Sequence, residues 1–252
     1  MRRMLLLAFW LLAVPAATRA ADEATPVSPS QPQPIRAVVE LFTSQGCSNC
    51  PPADALLKTY ADRKDVIALS LPVDYWDYIG WKDTLASTRN TERQRTYAKN
   101  FGIGPVYTPQ VVVNGSAQAL GSSAEEIDQA IETSDAATAS RRVPVAFWNY
   151  GDSVIIETGG APAGAASKDA TIWLAVVQKS VEVPVRGGEN NGQTLTYTNI
   201  VHELTPVGLW NGRPSTIRLA MTSVMRPESE DLVVLIQEAD AGPIIGAARL
   251  TR

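Results

Sequence analysis

The chain has 252 residues, of which 45% are hydrophobic and 19% charged, a composition that excludes collagen-like, coiled-coil and wholly disordered proteins. The formal net charge of −4 and the absence of a basic cluster exclude a nucleic-acid footprint. Two cysteines and one histidine are too few for a tetrahedral structural zinc site.

The N-terminus has the three-part layout of a secretory signal peptide. Arg2 and Arg3 form a basic start, and residues 5–14 are an apolar run too short for a membrane-spanning helix. A stretch of small residues follows, and cleavage is predicted after Ala20. We therefore expect a periplasmic or secreted protein with no membrane span after cleavage. Residues 21–34, rich in Pro, Ser, Gln and Thr, are predicted to be a disordered linker.

Residues 35–138 predict an α/β domain. Two nearly continuous apolar runs, 37–43 and 66–73, predict buried parallel strands, and residues 51–60 between them have helical spacing. Asn114-Gly115 predicts a tight hairpin turn. The remaining predicted elements are a helix over residues 88–100, strands at 110–113 and 117–120, and a helix ending near residue 134.

Residues 143–252 predict an all-β domain that follows a polar break at residues 135–142. The predicted strands are residues 143–148, 153–157, 170–183, 194–207, 216–221, 232–238 and 244–250. Because many short strands are separated by Gly, Pro, Asn and Asp, the pattern favours a sandwich-like domain or a barrel.

Both cysteines lie in Cys47-Ser48-Asn49-Cys50, between the first predicted strand and the first predicted helix. A helix N-terminus favours a thiolate, so Cys47 is expected to lie nearer solvent and attack, and Cys50 to resolve the mixed disulfide. A structural disulfide and a Cu(I) thiolate pair are the alternatives. A disulfide over so short a loop constrains the unfolded chain little.

A CxxC motif that opens a helix, followed by Thr108-Pro109 at the entry to a hairpin strand, resembles the thioredoxin fold. In that family the proline is cis and packs against the disulfide. The resemblance implies the same for Pro109, with the backbone of Thr108 free to pair with a substrate strand. The alternative is an ordinary trans proline at the start of a strand.

Glu40 lies inside an apolar strand, where burial would raise its pKa and suit a proton acceptor for Cys50. The register differs by one residue from that of the acidic residue in thioredoxins, so the alternative is that Glu40 pairs with an arginine.

Residues 39–54, 73–81, 107–110 and 189–192 resemble the signature of a secreted bacterial family, domain of unknown function 1223. The resemblance extends over about residues 35–250 and implies a thioredoxin-like domain followed by a β-rich domain. It implies no established substrate.

Five residues are predicted to line a substrate groove beside the cysteines: Trp76, Tyr78, Trp81, Tyr107 and Thr108. For the aromatic residues of the connection 75–81, local core packing is the alternative.

The predicted function is that of a thiol–disulfide oxidoreductase acting on protein or small-thiol partners in the cell envelope, without a metal or an organic cofactor. The alternative is a non-catalytic thioredoxin-like binding protein with an inert disulfide or a Cu(I)-binding thiol pair. The polar segment 186–192 is either a plain hairpin loop or a loop that faces the active site or a partner.

Overall fold

The structure, a computed structural model, describes residues 34–164, 168–239 and 241–251. The predicted signal peptide and all of the predicted linker except Pro34 lie outside the described residues. In the described ranges, no helix combines the length and the hydrophobicity needed to cross a membrane.

Eleven strands and four helices make up the described chain. The strands are β1 (Ala37–Thr43), β2 (Val66–Pro72), β3 (Gln110–Val113), β4 (Ala117–Leu120), β5 (Val145–Tyr150), β6 (Ser153–Thr158), β7 (Ala170–Pro184), β8 (Thr194–Trp210), β9 (Ser215–Ala220), β10 (Asp231–Glu238) and β11 (Ile244–Thr251). The helices are α1 (Pro51–Ala61), α2 (Thr88–Phe101), α3 (Ala124–Thr138) and the single turn α4 (Met221–Val224).

The helix ends follow from local chemistry. Pro51 and Pro52 occupy the first turn of α1, where a missing N–H costs no hydrogen bond. The Ser87 and Ser123 side chains cap α2 and α3 by accepting from backbone N–H groups. Gly102 ends α2 in the left-handed conformation, with φ of 63°.

The predicted fold, an α/β thioredoxin-like domain followed by a β-sandwich-like domain, is wrong. Eight strands form one mixed sheet in the order β11-β10-β7-β8-β2-β1-β3-β4, and β5, β6 and β9 form a separate three-stranded sheet. The junction is between β2 and β8, which run parallel and pair at Ser70 and Ile200. Strands of both predicted halves therefore share one sheet. In the predicted polar break, α3 continues to Thr138 and a 3₁₀ turn follows at Ala139–Arg141.

The two faces of the large sheet are covered differently. On one face, α1 and α3 pack over β1, β2 and β3, and the three-stranded sheet packs over β7 and β10. On the other face, Tyr97 of α2 joins apolar residues from both halves of the sheet. Alternation along β1 decides which residues meet which helix: Val39 and Leu41 pack toward α1, and Phe42 packs toward α2.

Candidate redox site

Cys47 and Cys50 form a disulfide in the turn between β1 and α1, with their Cα atoms 5.4 Å apart. Cys50 is the N-cap residue of α1, and its carbonyl oxygen accepts from the N–H groups of Ala53 and Asp54. Pro51 and Pro52 have no N–H to offer, so the helix start holds fewer free donors than the sequence analysis assumed. The favourable effect of the helix end on a Cys47 thiolate is correspondingly reduced.

Both cysteines are buried. Cys47 is 1% exposed and Cys50 is 0% exposed, so neither sulfur is open to solvent in the disulfide form. The Sγ atom of Cys47 lies 3.7 Å from the carbonyl oxygen of Thr108. The Thr108–Pro109 peptide bond is cis. Thr108 and Pro109 therefore lie beside the disulfide.

Three of the predicted groove residues lie together next to the cysteine turn. Trp76 donates its indole N–H to the hydroxyl of Thr108 over 2.8 Å, and its ring stacks on Tyr78 at 6.5 Å. A Cβ atom at Gly46 would come within 3.0 Å of Cβ of Trp76. The cysteine turn is therefore in close contact with residues 75–81, which we call the aromatic segment. Tyr78 is 81% exposed, which makes it available for contact with a partner rather than part of the core.

Tyr107 and Trp81 have different surroundings. Tyr107 is 37% exposed, and its carbonyl oxygen accepts from the Gln94 side chain. Trp81 donates its indole N–H to the Gln45 side chain over 2.8 Å and therefore supports the cysteine turn from the side.

Asp83, a buried acid, accepts the backbone N–H of Gln45 over 2.7 Å. Burial raises the pKa of Asp83, and the N–H groups it accepts offset part of this increase.

Glu40 is not placed with the cysteines. It lies on the α2 side of β1, where its carboxylate accepts from Arg93 over 2.7 and 3.2 Å and from the Tyr97 hydroxyl over 2.6 Å. The Gln237 side chain of β10 also donates to Tyr97. The alternative expectation, an arginine partner for Glu40, is the one that the structure supports.

Asp54, a buried acid that was not predicted as a site residue, lies one helical turn after Cys50 in α1. Asp54 is 5% exposed, and neither of its carboxylate oxygens has a hydrogen-bond partner among the described residues. Burial raises its pKa to about 8. The nearby Thr43 hydroxyl lowers this pKa without reaching hydrogen-bonding geometry, and the charge of Asp83 raises it. The spacing from Cys50 to Asp54 is one helical turn, a signal available in the sequence.

The hydroxyl of Tyr197, in β8, is another buried group without a hydrogen-bond partner in the described chain. Burial raises the pKa of Tyr197, and the charge of Asp54 adds to the increase. Polar groups from α1, β1 and β8 are thus buried near one another on the cysteine side of the sheet.

The segment 186–192, which we call the strap, joins β7 to β8 and lies against the cysteine turn. Asn190 is 1% exposed, and its side-chain amide donates to the carbonyl oxygens of Gln45 and Cys47 over 3.0 and 2.9 Å. Of the two expectations for this segment, the one in which it faces the cysteines is the one observed. In the described ranges, no group of three or more His, Cys, Asp or Glu side chains is arranged to hold a metal ion.

The family model of DUF1223, described as a protein of unknown function, matches residues 38–237. The chain belongs to this family. No curated protein matches the chain.

Two solved structures are similar to this chain. The protein AGR_C_4864 from Agrobacterium tumefaciens is 34% identical, with a TM-score of 0.76 over 87% of this chain and 95% of that chain. This likeness supports the continuous sheet against the predicted pair of domains. HBP35 of Porphyromonas gingivalis is 12% identical, with a TM-score of 0.58 over 86% of this chain and 75% of that chain, and shows the fold alone.

Proposed function

We propose that this DUF1223 protein is a thiol–disulfide oxidoreductase in which Cys47 and Cys50 alternate between disulfide and dithiol. The two residues are separated by three positions, and a disulfide over so short a loop stabilises a fold only weakly. The observation that carries the proposal is Asp54, a buried carboxyl one helical turn after Cys50 that has no hydrogen-bond partner in the described chain. A resolving thiol needs a proton acceptor, whereas a structural disulfide does not.

Oxidation of a partner dithiol starts when a partner thiolate attacks Sγ of Cys47. A bond forms between the partner sulfur and Cys47, the Cys47–Cys50 bond breaks, and Cys50 leaves as a thiolate that takes the proton of Asp54. The second partner thiol loses its proton to solvent and attacks the partner sulfur. The partner disulfide forms, Cys47 leaves as a thiolate, and two electrons have passed to the cysteine pair.

Reduction of a partner disulfide follows the same steps in reverse. The Cys47 thiolate attacks a partner sulfur and expels the other partner sulfur as a thiolate. Asp54 then accepts the proton of Cys50, and the Cys50 thiolate attacks Cys47. The protein disulfide re-forms and the partner leaves fully reduced, with two electrons passed to it.

The partner surface that we assign contains Trp76, Tyr78, Tyr107 and Thr108. Tyr78 and Tyr107 are the exposed members, and the carbonyl oxygen of Thr108 lies 3.7 Å from Sγ of Cys47. Aromatic side chains bury much apolar area on binding and suit a protein partner. We assign the reaction to the cell envelope because of the predicted signal peptide.

The test uses the reduced full chain and glutathione disulfide. Cys50→Ala is expected to keep glutathione attached to Cys47, whereas the wild-type protein releases it and closes its own disulfide. Intact-protein mass spectrometry reads both products, and Cys47→Ala is the control that forms no such adduct. A wild-type disulfide that dithiothreitol cannot reduce without unfolding the protein would contradict the proposal.

The burial of Cys47 favours a second candidate, a binding protein with an inert disulfide. In that case the disulfide resists thiols as long as the protein is folded, and the groove residues bind a partner without redox chemistry. The same experiment separates the two, because only an oxidoreductase traps glutathione on Cys47.

A further inference from the structure

The strap makes two kinds of contact with the cysteine turn. Besides the two hydrogen bonds of the Asn190 amide, the Glu189 carboxylate accepts the backbone N–H of Ser48 over 3.0 Å. The Ser48 hydroxyl and this backbone N–H both lower the pKa of Glu189, so the side chain is charged at neutral pH. A negative charge therefore lies one residue away from the attacking cysteine.

Exchange at Cys47 requires a partner sulfur to reach Sγ, and a residue that is 1% exposed does not allow this approach. Backbone hydrogen bonds hold β1 and α1 in place. The polar contacts of the strap with the turn come only from the side chains of Asn190 and Glu189, among the described residues. The strap is therefore a neighbour of the cysteine turn that can leave without breaking a sheet or a helix.

Close packing supports the strap where it meets the aromatic segment. A Cβ atom at Gly187 would lie 2.6 Å from the carbonyl oxygen of Gly80 and 3.4 Å from Cβ of Trp81. Glycine allows this approach, which brings Asn190 within reach of the turn.

We propose that Asn190 is a positioning residue that holds the strap over Cys47, that Glu189 restrains the reactivity of its thiol, and that the natural partner is a peptide segment that displaces both. The inference rests on the proposed function and adds a substrate class to it. Displacing the strap frees two carbonyl oxygens and one N–H group. A peptide backbone carries N–H donors and carbonyl acceptors along one extended chain and can therefore pair with all three groups.

The test compares Asn190→Ala with Asn191→Ala in the full chain. Asn191 is exposed in the same strap, and its side chain makes no hydrogen bond among the described residues, so it is the matched control. Dithiothreitol is expected to reduce the disulfide of Asn190→Ala about ten-fold faster than that of wild type, since two hydrogen bonds that hold the strap closed are lost. Asn191→Ala is expected to react like wild type.

A synthetic peptide with two reduced cysteines is the second reductant. Wild type should react faster with the peptide than with dithiothreitol, and Asn190→Ala should lose most of this preference. Equal dithiothreitol rates for all three proteins would overturn the strap proposal and leave the oxidoreductase proposal standing. A disulfide that resists both reductants in every variant would overturn both.

Glu189→Gln tests the effect of the charge on Cys47 separately. It also keeps the proposal testable if Asn190→Ala does not fold. Glutamine keeps an oxygen that accepts the Ser48 N–H but carries no charge. Since a nearby negative charge disfavours a thiolate, alkylation of reduced Cys47 should move to lower pH in this variant. An unchanged pH profile would show that Glu189 does not restrain Cys47.

Discussion

Two buried carboxyl groups, Glu40 and Asp54, lie on opposite faces of the same part of the sheet and have opposite surroundings. Glu40 accepts two hydrogen bonds from Arg93 and one from Tyr97, and its side chain is 1% exposed. Asp54 has no hydrogen-bond partner among the described residues, and its pKa is raised to about 8. A buried acid that is fully paired belongs to the fold, whereas an unpaired one with a raised pKa is typical of a reaction site.

The largest effect on the free energy of unfolding is expected when the paired acid is removed. Glu40→Ala leaves the guanidinium of Arg93, whose side chain is 8% exposed, without its carboxylate. Breaking a buried pair from one side costs about 3–5 kcal/mol in the free energy of unfolding. Urea unfolding at neutral pH measures this loss.

The matched control is Glu157→Ala, because Glu157 is an exposed glutamate within strand β6. Exposed substitutions of this kind change stability by about 0.5 kcal/mol or less. If Glu40→Ala lowered the free energy of unfolding no more than Glu157→Ala does, the pairing of Glu40 would not stabilise the fold.

The second prediction concerns the chemistry assigned to the unpaired acid. In Asp54→Asn the Cys50 thiol has no proton acceptor, so its attack on a mixed disulfide at Cys47 should slow about a hundred-fold, the lower end of general-base effects. The glutathione adduct should therefore accumulate, as read by mass spectrometry after mixing with glutathione disulfide. Asp62→Asn, an exposed acid-to-amide change at the end of the same helix, should leave the rate unchanged. Equal rates in the two variants would remove Asp54 from the mechanism.

The third prediction is a dependence of stability on pH. The pKa of Asp54 rises from 3.8 to about 8 on folding, so the folded state binds more protons than the unfolded state between these values. The free energy of unfolding of wild type should therefore fall relative to Asp54→Asn as the pH rises through this window, by at most about 1.4 kcal/mol per pH unit. Above it the difference should stay constant.

Denaturant unfolding of the oxidised proteins at a series of pH values measures this difference. Asp62→Asn, compared in the same way, should show no such trend. A difference between wild type and Asp54→Asn that does not change with pH would mean that Asp54 is not held protonated by burial.

The secondary structure could be predicted because hydrophobic periodicity is local. The buried runs that became β1 and β2 and the predicted strand runs of the second half all form strands. The joining of the halves could not be predicted, since the pairing of Ser70 with Ile200 connects residues far apart in the chain and leaves no local pattern. The predicted thioredoxin-like and sandwich-like domains failed for this reason.

The candidate site, like the fold, could be predicted only in part. The motif located Cys47 and Cys50, and helical spacing from Cys50 would have located Asp54. Glu40 was ambiguous because its arginine lies on α2, and the sequence carries no sign of which arginine faces β1. The contacts of Asn190 depend on the tip of a hairpin reaching the cysteine turn, which only the folded sheet determines.

The smallest effect is expected at Thr43, whose hydroxyl opposes the effect of burial on the pKa of Asp54. The Thr43 hydroxyl lowers that pKa, so Thr43→Val, which removes the hydroxyl and keeps the shape, should raise it further. The pH range over which stability falls should then move upward. At low pH, where Asp54 is protonated in both proteins, stability should change by about 1 kcal/mol or less, because a buried hydroxyl without a partner contributes little. Thr43→Ser keeps the hydroxyl and should retain the wild-type range, and a downward move in Thr43→Val would mean that the hydroxyl favours the neutral acid over the carboxylate.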